Sequence, residues 1–139
     1  MREREGKHEG ERSLTWLLAL TCLLALTCLL ACEKRYEDAG VAQDTGGGNA
    51  DHGKQLIQQY GCQACHTIPG VPGPKGVVGP PLDKMAARSY IAGKIANNPT
   101  NMIAWIQNPQ SMDPGNAMPA LGVTPADARD ITAYLFTLR

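Results

Sequence analysis

The chain has 139 residues, with thirteen Lys and Arg against thirteen Asp and Glu and a formal net charge of zero. That length allows one small domain with appendages, and the neutral balance leaves no electrostatic footprint for nucleic acid or an acidic substrate. The five cysteines fall in two groups: Cys22, Cys28 and Cys32 lie in a very apolar stretch, and only Cys62 and Cys65, in the soluble remainder, are placed to form a site.

Leu14 to Ala31 reads "LTWLLALTCLLALTCLLA" without a charge. A helix of this length spans roughly 27 Å, enough to reach across a bilayer core, so the segment is an anchor or a long signal core. Its tandem repeat "LLALTCLLALTC" adds apolar length, and Cys22 and Cys28 read as small apolar residues. The tetrad "LLAC" at Leu29 to Cys32 resembles the lipobox of bacterial lipoproteins, which implies acylation of Cys32 as the mature N-terminus. The competing reading leaves the segment uncut as a transmembrane helix. Arg2, Arg4, Lys7 and Arg12 precede it and only Lys34 and Arg35 closely follow, so both readings keep the N-terminus in the cytoplasm and put the rest outside. Four glutamates dilute this leading region, a departure from a typical signal peptide. Lipidation is the preferred reading, on the tetrad, with residues 1–32 as the anchor segment.

Residues 33–50, "EKRYEDAGVAQDTGGGNA", have almost no apolar content and read as a flexible tether with a root-mean-square reach of about 20–25 Å. The folded domain is expected over 51–139. Asp51 is placed to cap a helix through Tyr60, with Leu56, Ile57 and Tyr60 on its apolar face. Thr67 to Pro81, rich in glycine and proline, reads as an irregular loop. A short helix is expected over Ser89 to Ala96. Asn98 and Pro99 give a cap and first-turn proline for a helix through Asn108, stopped by Pro109. Thr124, Pro125 and Asp127 begin a final helix whose Ile131, Tyr134, Leu135 and Leu138 share one face. No alternating strand pattern is present, so the class is all-α.

The chemistry sits in "GCQACHTI" at Gly61 to Ile68. A structural zinc site needs four ligands, and beyond Cys62, Cys65 and His66 this domain offers only His52. His52 itself reads as a solvated residue at a helix start. A thioredoxin-like dithiol wants a βαβ context that the pattern lacks. Covalent haem remains: Cys-x-x-Cys-His is the c-type attachment signature, in which two thiols add to the vinyl groups of one porphyrin edge and the histidine turns onto the iron.

With "GKQLI" before this motif, and "GPPL" at Gly79 to Leu82, "NPTNMIAWIQNPQ", "PGNAMP" at Pro114 to Pro119 and "ITAYLFTL" after it, the whole of 51–139 resembles the class I cytochrome c domains of bacteria. The likeness is greatest to the short haem domains fused to or associated with terminal oxidases and quinol-oxidising complexes. It implies a class I cytochrome c fold, several short helices around one covalent haem c. By resemblance His66 is the proximal iron ligand, its other ring nitrogen bound to the carbonyl of Pro80, and Met118 is the distal ligand. Gly53 would let the first helix cross closely over the last, with Ile57 against Ile131 and Tyr134. Met112, in the same loop, is the rival to Met118 but lacks a following proline; Met102 reads as core. Arg88, Tyr90 and Trp105 are candidates for the haem propionates, with plain packing or exposure as the alternative at each.

The domain carries seven basic side chains and five acidic ones, a net of +2 that the two propionates nearly cancel. Docking is then expected at an apolar haem edge with little dependence on salt. The function expected is one-electron transfer by a membrane-tethered monohaem cytochrome outside the cytoplasm, at the periplasmic or outer membrane face. A quinol-oxidising complex is the expected donor and a terminal oxidase or another protein the acceptor; the protein is not expected to be an enzyme or to bind nucleic acid. A fixed subunit of a respiratory complex is the first alternative, ahead of a haem peroxidase or a gas sensor. Those last two need an open iron site, against which "PGNAMP" argues.

Overall fold

The computed structural model describes residues 15–32, 44–74 and 76–139. The charged residues flanking the apolar segment, and residues 33–43 of the tether expected over 33–50, lie outside them. The chain divides into two units at Glu37 and Asp38. In the first, Thr15–Cys32 form helix α1, with a mean hydropathy of 2.2, long and apolar enough to cross a membrane. Every side chain of this helix is exposed. The hydroxyls of Thr21 and Thr27 donate to the carbonyls of Leu18 and Leu24 at 2.9 Å, so neither needs water or an external partner.

The second unit opens earlier than the Asp51 start expected from the sequence. Thr45 and Gly48 are buried. A Cβ at Gly48 would lie 2.6 Å from the Arg129 carbonyl, so the glycine run is packed against the last helix and is no continuation of a free tether. Helix α2 covers Ala50–Gln59, and its cap is Asn49, whose side chain accepts from the His52 N–H; Asp51 sits inside the first turn, where its charge favours the helix N-terminus. Gly61, with φ of 73°, ends the helix and leads into a 3-10 turn, Cys62–Ala64.

After the glycine and proline loop come a second 3-10 turn, Met85–Ala87, and two short strands, β1 Tyr90–Ile91 and β2 Ile95–Ala96, paired antiparallel. This hairpin replaces the helix expected over Ser89 to Ala96. Its turn needs left-handed backbone at Ala92 (φ 49°) and Gly93 (φ 77°), which no α-helix contains. The Asn97 carboxamide donates to the carbonyls of Met85 and Arg88 and ties the hairpin to the 3-10 turn.

Helix α3 runs Pro99–Gln107 behind an Asn98 cap, as the sequence indicated, but Pro109 does not simply stop it. Asn108 closes α3 and caps a further turn, α4, Pro109–Met112. Helix α5, Pro125–Thr137, starts at Thr124 as expected. Ile131 and Leu135 are buried on it with Ala128, Thr132 and Ala133, while Tyr134 is half-buried and Leu138 lies just past its end. The architecture is mostly helical with one two-stranded ladder among the described residues.

Helices α2 and α5 cross in backbone contact. A Cβ at Gly53 would collide with the Asp130 carbonyl and lie 2.8 Å from the Ile131 nitrogen. Polar clamps flank the crossing. His52 is half-exposed, and its Nδ1 lies 2.7 Å from Asp130 Oδ2, so it pairs with the last helix where the sequence suggested a solvated residue. The Asn49 N–H donates to Asp130 Oδ1, and the Tyr60 hydroxyl donates to Asp127 Oδ2 at 2.7 Å. That last bond holds the Asp127 carboxyl below its ordinary pKa and the Tyr60 phenol above its own. The stability it contributes is therefore lost as pH falls through the lowered carboxyl value, or rises through the raised phenol value.

Gly53→Ala should lower the unfolding free energy of the haem-loaded protein by about 3 kcal/mol, because the methyl must push the helices apart. Urea unfolding followed by circular dichroism measures this, and Gly53→Val should yield no folded protein.

Candidate functional site

Helices α2, α3 and α5 enclose a cavity of about 390 Å3 in the second unit. Ile57, Met102, Trp105, Ile106, Ile131 and Leu135 form its helical walls, and Ile68, Leu82, Met85 and Val123 close it from the loops. The residues singled out by sequence converge on it: Cys62, Cys65, His66, Pro80 and Met118 all line the cavity, as do Arg88, Tyr90 and Trp105. Met112 does not; it packs half-buried against the core from outside the lining.

The attachment turn is set by its own backbone. The N–H groups of Cys65 and His66 both donate to the Cys62 carbonyl, at 3.2 and 3.0 Å, which brings the two thiols and the imidazole onto one short arc. Both cysteines are free. Burial pushes the Cys62 thiol above its ordinary pKa, with a smaller push from Cys65, so it stays neutral in an apolar wall.

His66 Nδ1 lies 2.7 Å from the Pro80 carbonyl oxygen. A carbonyl only accepts, so Nδ1 carries the proton and Nε2 keeps a lone pair for a metal. Gly79 holds the other side of the ring. A Cβ there would fall on the imidazole, 2.8 Å from Nε2. The Gly79 N–H donates to the Cys65 carbonyl, and Leu82 N–H donates to Thr67, so the "GPPL" segment wraps the attachment turn by main-chain bonds. Gly76 permits the same closeness one turn earlier, since a Cβ there would lie 2.7 Å from the Ala64 oxygen. The sequence pattern points to Pro80 but not to Gly79 or Gly76, whose demand for a bare Cα arises only when the loop folds back.

The three candidates for haem propionates differ in surroundings. Arg88 uses Nη2 to donate to the Pro81 and Asp83 carbonyls and to Asp83 Oδ1, bracing the loop that carries Pro80. Tyr90 is exposed and Trp105 nearly buried, and neither the Tyr90 hydroxyl nor the Trp105 indole N–H has a hydrogen-bond partner among the described residues. Met118 lies on the loop after α4, where both its N–H and its carbonyl are hydrogen-bonded by side-chain amides.

The sequence pattern of the cytochrome c family matches residues 50–139. The chain belongs to the cytochrome c family. Its second unit carries the class I fold, and the family implies covalently bound haem c and electron transfer. Relatives include subunit 2 of cytochrome c oxidase from Alkalihalophilus pseudofirmus, 35% identical over 91 residues, which are 65% of this chain and 26% of that protein. Subunit 2 from Bacillus subtilis is 32% identical over 73 residues, 50% of this chain and 20% of the relative. The chain thus spans only about a fifth to a quarter of the length of these relatives, and it is a distant homologue of their cytochrome c domain. The cavity fits the group the family implies: apolar walls, two free thiols on one arc, and a histidine whose tautomer exposes Nε2.

Gly79→Ala should displace the imidazole and cut the yield of haem-loaded protein severalfold. Gly93→Ala, where a Cβ meets nothing within 4 Å and the cost is only that of a left-handed alanine, should reduce it less. Soret absorbance per mass of purified polypeptide compares the two.

Proposed function

We propose that the protein is a membrane-tethered monohaem cytochrome carrying single electrons between respiratory partners outside the cytoplasm. Cys62 and Cys65 would hold the haem edge, and His66 through Nε2 and Met118 through Sδ would be the residues that bind its iron. Haem c bound there supplies a one-electron ferric/ferrous couple. The observation that carries the reading is the His66 Nδ1–H bond to Pro80 at 2.7 Å, which fixes the tautomer and makes Nε2 a stronger donor. Met118 would supply a neutral soft sulfur that favours ferrous iron and keeps outside ligands off the metal, as an electron carrier requires and a peroxidase or gas sensor does not. Trp105, Tyr90 and the free nitrogens of Arg88 are the groups offered to the propionates.

An N-terminal apolar helix of this length serves as a membrane anchor or a signal sequence. We assign acylation to Cys32, with the haem domain facing the periplasm or the outer membrane face. A quinol-oxidising complex as donor and a terminal oxidase as acceptor suit the relatives, whose names place the same kind of domain in an oxidase subunit. The same relationship favours one second reading, a fixed haem subunit of such a complex.

Acid-acetone extraction should leave the Soret absorbance with the polypeptide, and colour passing into the organic phase would refute covalent attachment. Ferric protein should show the weak near-infrared band of sulfur ligation, and the ferrous form should scarcely bind carbon monoxide. Met118→Ala should abolish the band and admit carbon monoxide, whereas Met112→Ala should do neither; rapid stoichiometric binding by the unmodified protein would favour an enzyme or sensor. For the anchor, mass spectrometry should find an acylated chain starting at Cys32, whose loss in Cys32→Ala separates lipidation from an uncut helix.

A further inference from the structure

The loop carrying Met118 has its own internal scaffold, built from two carboxamides. Gln110, on α4, accepts the Gly115 N–H through Oε1 at 3.1 Å. Its Nε2 donates to the carbonyls of Asn116 and Met118, at 2.8 and 3.0 Å. Asn116 completes the set from within the loop. Its Oδ1 accepts the Met118 N–H at 2.8 Å, and its Nδ2 donates to the carbonyls of Pro109 and Asp113, at 3.1 and 2.6 Å. Each amide thus uses its acceptor and both donors, and together they satisfy both main-chain polar groups of Met118. The chemistry demands amides here. A carboxylate at either position would face carbonyl oxygens, and a hydroxyl could not reach three partners.

Gln110 is exposed, so burial of apolar surface does not explain its place. Nor is the scaffold isolated, because Asp113, whose carbonyl Asn116 holds, is ion-paired with Lys94 on the β hairpin at 2.7 Å. We propose that Gln110 and Asn116 are positioning residues for Met118, holding its main chain on both sides and so setting how often the thioether leaves the iron. The inference rests on Met118 being the distal ligand. A neutral thioether is readily displaced, and an external ligand reaches the iron only in the fraction of molecules whose loop has opened. The apparent affinity of that ligand scales with the open fraction.

The test is imidazole titration of the ferric, haem-loaded protein. Gln110→Leu removes all three bonds of the side chain; Gln110→Glu keeps an acceptor for Gly115 and loses both donations. Both variants should bind imidazole roughly tenfold more tightly than the unmodified protein and show a weakened near-infrared sulfur band. Asn49→Ala is the control: it removes the side-chain cap of α2, far from this loop in sequence, and should lower thermal stability without changing imidazole affinity. Unchanged affinity in both Gln110 variants, or an equal rise in Asn49→Ala, overturns the positioning role while leaving the ligand assignment standing. Absence of the sulfur band from the unmodified protein, or its persistence in Met118→Ala, overturns the ligand assignment and the inference with it.

Discussion

An apolar cavity of about 390 Å3 lies between the three main helices of a body only as long as residues 44–139, and every other feature answers to it. Left without apolar contents, a cleft of that size would keep the apolar faces of three helices against water, and a body this small has little other core to offset that. The walls therefore depend on a large apolar group between them. A porphyrin meets that need, and the covalent link through neighbouring thiols keeps it from leaving.

The remaining stability is concentrated where the chain touches itself without the cofactor. The α2–α5 crossing at Gly53 brings backbone to backbone, and the His52–Asp130, Asn49–Asp130 and Tyr60–Asp127 contacts clamp it from both sides. The loops that present His66 and Met118 are stiffened by other means. Main-chain bonds, close glycine contacts and Arg88 fix the first, and side-chain amides fix the second. Both devices hold the backbone, and at His66 the Pro80 carbonyl and the close approach of Gly79 hold the ring as well. Such stiffness suits the proposed electron transfer, which needs little reorganisation.

Much of this was legible in the residues, for identifiable reasons. Asn98–Pro99 and Thr124–Pro125 mark helix starts because cap and first-turn proline are local chemistry, and the order of "CQACH", "GPPL" and "PGNAMP" carries the family. The misses are equally instructive. Asn108–Pro109 repeats the signal of Asn98–Pro99, yet reading its proline only as a stop hides the start of α4. The hairpin is disguised because Ala92 adopts a left-handed turn conformation normally left to glycine or asparagine, with only Gly93 and two isoleucines hinting at it. Asn49 and Asp51 are both sound caps in sequence, and the choice between them is made by packing of Gly48 on α5. Gly79 and Gly76 act through residues distant along the chain, and such contacts leave no periodic trace.

The family accounts for the second unit and implies electron transfer, and the apolar α1 suggests a membrane anchor or a signal sequence. What unites the account is that the cofactor serves as both redox centre and core. The most direct measurement is near-UV circular dichroism and urea unfolding of the Cys62→Ser, Cys65→Ser double variant purified without haem. The account predicts no near-UV signal and no cooperative transition, with haem-loaded protein showing both. A native near-UV spectrum and cooperative unfolding in the haem-free variant would contradict it.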